Sequence, residues 1–139
     1  MRVAAKRKTN DAARGARRLN IAAGLLAASV LADSGVEHYR GSFHNKAMFA
    51  PLVSSALALA VSAHGLADQR RRSHGARDAV YAVAGLIGVL GTGFHIYNIA
   101  KKPGGFPWLS LFYSAPIGAP AALSLAGLIG FLAERMRGA

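Results

Sequence analysis

The sequence predicts an all-α membrane protein, an up-down bundle of four transmembrane helices, and three observations carry that prediction. Of the 139 residues 53% are hydrophobic, yet 17 Lys and Arg stand against 6 Asp and Glu, a formal net charge of +11. The apolar residues fall in long blocks, not at the 3.6 or 2 period of a half-buried soluble helix or strand. Short basic clusters separate the blocks and are unequal from loop to loop, as in a chain with a fixed membrane orientation. The mean hydropathy of +0.27 understates this pattern, because it averages a basic tail with apolar spans.

Residues 1–18, MRVAAKRKTNDAARGARR, carry seven basic side chains and one acid and have almost no large apolar side chain. They read as a disordered cytoplasmic tail. From Leu19 to Ala32 the chain is apolar for only 14 residues, short of the roughly 20 that cross a bilayer. One reading makes the tail the n-region of a signal peptide cleaved after Val30-Leu31-Ala32. The preferred reading continues the helix to Tyr39, with the polar groups of Asp33-Ser-Gly-Val-Glu-His38 facing the bundle interior or the headgroups. An n-region of that length would be unusual, and three more spans follow.

The second span covers about 47–67, interrupted by Pro51, Ser54, Ser55, Ser62 and His64, and runs into Asp68-Gln-Arg-Arg-Arg72. The third covers about 79–100. The fourth covers about 107–133, with Pro116 and Pro120 one helical turn apart, which predicts a kink. Residues 19–139 thus form one domain whose short connections make neighbouring helices antiparallel.

Orientation follows from the basic residues. A cytoplasmic N-terminus puts seven from the tail, Arg70, Arg71, Arg72, Arg77, Arg135 and Arg137 on one side, 13 in all, against Arg40, Lys46, Lys101 and Lys102 on the other. A split of that size over short loops sets both termini in the cytoplasm. It also explains the +11 charge through topology and attraction to anionic lipid, so no nucleic-acid partner is expected. A bacterial plasma membrane suits the composition, although an Arg-rich, acid-poor tail is also the pattern of an organellar presequence.

Chemistry is limited by what the chain lacks. Zero cysteines exclude disulfides, thiolate metal sites, covalent c-type haem attachment and Cys nucleophiles. There is no HExxH, nucleophile elbow or P-loop, and Gly91-Thr-Gly93 has neither a preceding strand nor a third glycine, Ile96 standing there instead. An independent catalyst is not expected. The stripes Gly85, Gly88, Thr92 and Gly127, Gly130 read as surfaces for close helix packing.

What remains is a polar layer at the non-cytoplasmic face. Asp33, Glu37 and Arg40 lie within about 60° on a helix, close enough to neutralise one another inside the bundle. His38, His44 and Asn45 follow in the same segment. The third span brings Thr92, His95, Tyr97 and Asn98 to the same side, and the fourth brings Trp108, an interfacial anchor, and Tyr113. Imidazoles from separate helices suit a b-type haem or a metal, with His38, His44 and His95 as candidate ligands and Glu37 as a further ligand or an orienting group. His64 and His74 belong to the opposite end, out of reach. The stretch Leu111–Leu123 loosens its helix at Pro116 and Pro120 and frees carbonyls that the interior must satisfy.

Three functions are consistent with this layer. The first is a small membrane subunit or anchor of a redox assembly, whose ligand layer of His95, His38, His44, Glu37, Asp33, Arg40 and Tyr113 binds haem b or a quinone. The second is a proton- or cation-coupled transporter or channel component using Asp33, Glu37 and His95. The third is a structural protein with no ligand. Beyond the bilayer, the expected partners are other membrane or periplasmic subunits, or further copies of the chain.

Overall fold

The computed structural model describes residues 2–68, 73–103, 109 and 116–138, with side chains for all of these except 2–9 and 138. Every regular element among them is helical: α1 Arg2–Arg40, a 3-10 turn Lys46–Met48, α2 Phe49–Ala67, α3 Gly75–Ala100 and α4 Gly118–Gly138. Four segments are long and apolar enough to cross a membrane: Asn10–Arg40, Lys46–Ala67, Gly75–Ala100 and Gly118–Arg137.

Burial is distributed as a bilayer solvent requires. The large apolar side chains Leu25, Val53, Leu57, Leu86, Leu90 and Leu128 point outward, while the core consists largely of Ala23, Ala27, Ala58, Ala84, Ala126 and Ala133. Lipid is as apolar as leucine, so burying leucine gains little, and small residues that let backbones approach supply the packing instead. The stripes expected from sequence meet across one interface: a Cβ built on Gly127 would stand 2.6 Å from the Cα of Gly85, and one on Gly88 2.5 Å from Ser124 Oγ. Gly130 leaves room for the fully buried ring of Tyr81. α1 and α3 each pack on both α2 and α4; α4 makes the long contacts, and α2 with α3 a shorter one.

Two boundaries differ from expectation. α1 begins at Arg2, so the basic stretch expected as a disordered tail continues the helix instead. Its many Ala, Arg and Lys are good helix formers, and an adjoining span removes the cost of nucleation. At its other end α1 runs without a break through Ala32 to Arg40, where the N–H groups of Gly41 and Phe43 donate to the carbonyls of Glu37 and His38. Ser42 and Phe43 then adopt left-handed φ values of 58° and 45°. Asn45 accepts from the Ala47 N–H at 2.9 Å and starts the 3-10 turn.

The fourth helix is described from Gly118, not 107, and reaches Gly138. Pro120 lies in its first turn, where a missing N–H costs no helical hydrogen bond. Pro116 precedes it. Trp108 and Tyr113 lie outside the described residues, as do Arg70, Arg71 and Arg72.

Candidate functional site

Most of the predicted outer residues surround one cavity of about 450 Å³. α1 contributes Asp33, Glu37 and His38, the following turn contributes His44 and Asn45, and α3 contributes His95 and Asn98. Ile87, Leu90, Phe94 and Leu123 supply apolar walls, and Pro116 and Pro120 line the side where α4 begins. α1 delivers its polar groups because its helix persists past Ala32, and α3 delivers His95 because it approaches the same level from the other end of the bundle.

The histidines are oriented by main-chain carbonyls. His95 Nδ1 lies 2.8 Å from the Pro116 carbonyl oxygen, and His44 Nδ1 lies 3.0 Å from that of Gly41. A carbonyl only accepts, so in each ring Nδ1 carries the proton and a neutral imidazole leaves Nε2 as a lone pair. The carbonyl freed ahead of α4 is therefore satisfied by the histidine of the neighbouring span. His38 meets Phe43 edge-on at 6.4 Å, and Phe43 in turn stacks on Phe49 at 4.7 Å. Among the described residues no group of three or more His, Asp or Glu side chains is arranged to hold a metal ion.

One expectation is corrected. Asp33, Glu37 and Arg40 share a helical face, but all three are exposed and do not form an interior cluster. Arg40 reaches Glu37 at 3.4 Å with their side chains 73% and 44% exposed, a pair that contributes little to stability.

The buried charges are at the other end, where none were expected. Arg77 is 1% exposed and Glu134 is fully buried. The Arg77 guanidinium lies 2.9 Å from Asp68 and 3.0 Å from Glu134, and donates to His64 Nδ1 at 3.1 Å. Arg137 donates to the carbonyls of Gly65 and Asp68 at 2.8 and 3.0 Å, with Glu134 at 3.5 Å. The His74 N–H, at the N-cap of α3, donates to Glu134 at 3.2 Å. Among the described residues, two cations thus face two carboxylates. Deeper in the bundle, Asn20 donates to the Ser62 carbonyl, Ser62 donates to the Asn20 carbonyl, and Tyr81 donates to Asn20 Oδ1, all at 2.7 to 2.8 Å. By sequence alone Arg77 and Arg137 fall among the loop charges. The available signal was that Asp68 and Glu134 sit beside them at the same span ends.

Between the two ends lies an apolar layer of Ala23, Ala27, Val30, Ala58, Ala84 and Leu123. No protein-family model matches this chain, and comparison with curated proteins and with solved structures finds no match.

Proposed function

We propose that this chain is a small membrane subunit or anchor of a redox assembly, and that the cavity beside His95 holds a quinone headgroup. The observation that supports this reading is the combination in one cavity of oriented imidazoles, carboxylates and apolar walls. A volume of 450 Å³ falls within the range of small-molecule sites, which are mostly apolar with a few placed polar groups. The apolar layer and the Arg77 cluster close the opposite end, so a ligand would enter and leave by one side. That favours a binding site over a through-path for ions.

In this reading the helices run up-down with both termini cytoplasmic, in a bacterial plasma membrane, and the cavity faces the other side. The fourth helix begins at Gly118, and the Pro116 carbonyl just ahead of it holds His95. Electrons would reach the site through a partner subunit or a further copy of the chain. A b-type haem is a second reading, favoured by His38 on α1 and His95 on α3 lining the same cavity.

The test is an air-oxidised minus dithionite-reduced absorption spectrum of the detergent-purified protein, with solvent extraction and total metal analysis of the same sample. The expected result is no Soret band and a co-purifying quinone that His95→Ala loses. A Soret band abolished by His95→Ala or His38→Ala would replace the quinone with haem. A colourless, quinone-free protein that conducts protons or cations in liposomes would overturn both in favour of transport through Asp33, Glu37 and His95.

A further inference from the structure

We infer that the ligand is a lipid-tailed quinone that enters the cavity sideways, through a slot between α2 and α3, from the hydrocarbon core of the bilayer. The inference rests on the quinone reading of the cavity and names the ligand's tail and its route. The cavity wall is divided by chemistry. Asp33 and Glu37 on α1 and His95 on α3 supply polar groups, whereas Leu90 and Phe94 on α3 are apolar, as is every lining residue of α2 and of the 3-10 turn before it. A quinone head placed at His95 therefore has an apolar continuation toward α2. An amphipathic ligand fills both parts of the cavity, whereas a tail-less quinone leaves the apolar part empty.

The faces of α3 locate that continuation. A Cβ built on Gly88 would meet Pro120 and Ser124, which marks the side of α3 that touches α4. At about 100° per residue, Ile87, Phe94 and Leu90 lie roughly 100°, 120° and 160° round from that side in one direction. The other neighbour of α3 is α2, which lines the same cavity with Ala50 and Pro51 and whose contact with α3 is shorter than that of α1 with α2 or of α3 with α4. Arg77 ties α2 and α3 at one end through Asp68 and His64. Toward the other end Leu90 and Phe94 line the cavity yet stay 68% and 55% exposed, so the cavity reaches the outer surface of the bundle beside them. Depth decides what lies outside. Lys101 is the C-cap of α3. With a rise of about 1.5 Å per residue Leu90 stands about 16 Å along the helix from Lys101, and a hydrocarbon core is about 30 Å thick, so acyl chains and not water surround Leu90. His95 is about 8 Å nearer Lys101. A head at His95 and a tail passing Phe94 and Leu90 thus follow the polar-to-apolar order of the wall.

The experiment uses the full chain in nanodiscs and a fully substituted benzoquinone with a decyl tail, whose binding to the wild-type chain is measured first by calorimetry. The chain has no cysteine, so a single nitroxide can be attached at Leu90→Cys in the slot, and in a second variant at Leu86→Cys, an exposed position of α3 that does not line the cavity. Collisions with oxygen report lipid around a label, and collisions with a water-soluble nickel chelate report water. Without quinone both labels should meet oxygen more often than nickel. Quinone should lower the oxygen collisions of the label at position 90 and leave those at position 86 unchanged. A bulky maleimide on Phe94→Cys should weaken binding of the tailed quinone at least about tenfold, the effect of taking roughly two methylene groups out of contact. A label at position 90 that meets nickel more often than oxygen overturns entry from the hydrocarbon core. Quinone binding that leaves the label at position 90 unchanged and survives the maleimide overturns the slot, with the quinone site left standing. Absence of binding to the wild-type chain overturns the quinone reading itself, and the inference with it.

Discussion

Arg77 keeps its charge in the bundle because two carboxylates and a neutral imidazole surround it, and that arrangement makes Glu134 the residue with most to lose. Among the described residues, Glu134→Ala leaves Asp68 as the carboxylate beside Arg77 in a buried site, and removing one partner of a buried pair costs about 3 to 5 kcal/mol. Equilibrium unfolding in mixed detergent micelles, followed by circular dichroism, should show a loss of that size. The double substitution Arg77→Met with Glu134→Leu should recover most of it, because desolvation of both charges disappears together with their attraction. Full additivity of the two losses would mean the residues act separately. This cluster was not legible in the sequence, whereas Asp33, His38 and His95 were. A charge at a span end reads the same whether it faces water or a carboxylate on another helix, and only the packing of α2, α3 and α4 decides between them. His95 lies in the middle of an apolar run, where an ionisable group has no solvent to explain it. Its partner, the Pro116 carbonyl, was foreseeable in kind but not in identity.

Helix α4 touches α3 so closely that its glycines and those opposite set the interhelical distance. At Gly88 an added Cβ would stand 2.6 Å from the Pro120 oxygen, a rigid main-chain atom. Gly88→Ala should therefore destabilise the bundle by about 1 to 3 kcal/mol, the usual cost of overpacking. Gly93, five residues further along α3, has nothing within 4 Å of its Cβ position, and Gly93→Ala should be neutral or stabilise by up to about 1 kcal/mol through helix propensity. Thermal unfolding of the two variants side by side checks the contrast, and equal effects would mean that α3 and α4 do not meet along this stripe. Small-residue spacing marked the packing faces of α3 and α4, but not which helix each face would meet. Helix ends were less so, since the basic run before Leu19 carries helix-forming residues that hydropathy ignores, and α1 takes them in.

The molecule as a whole has two unlike ends: one carries a ligand-sized cavity, the other a buried charge cluster. The cation count of the sequence predicts which side each faces, and the buried cluster changes that count. Arg77 and Arg137 are paired with Asp68 and Glu134, so discounting them turns 13 against 4 into 11 against 4, still a strong bias for the same orientation. The chain has no cysteine, so single cysteines can report that orientation without background. Ser42, in the turn after α1, and Ser73, just ahead of α3, are both exposed. In intact bacterial cells a membrane-impermeant maleimide should label Ser42→Cys and leave Ser73→Cys unlabelled until the cells are permeabilised. The opposite pattern would invert the topology and turn the cavity toward the cytoplasm.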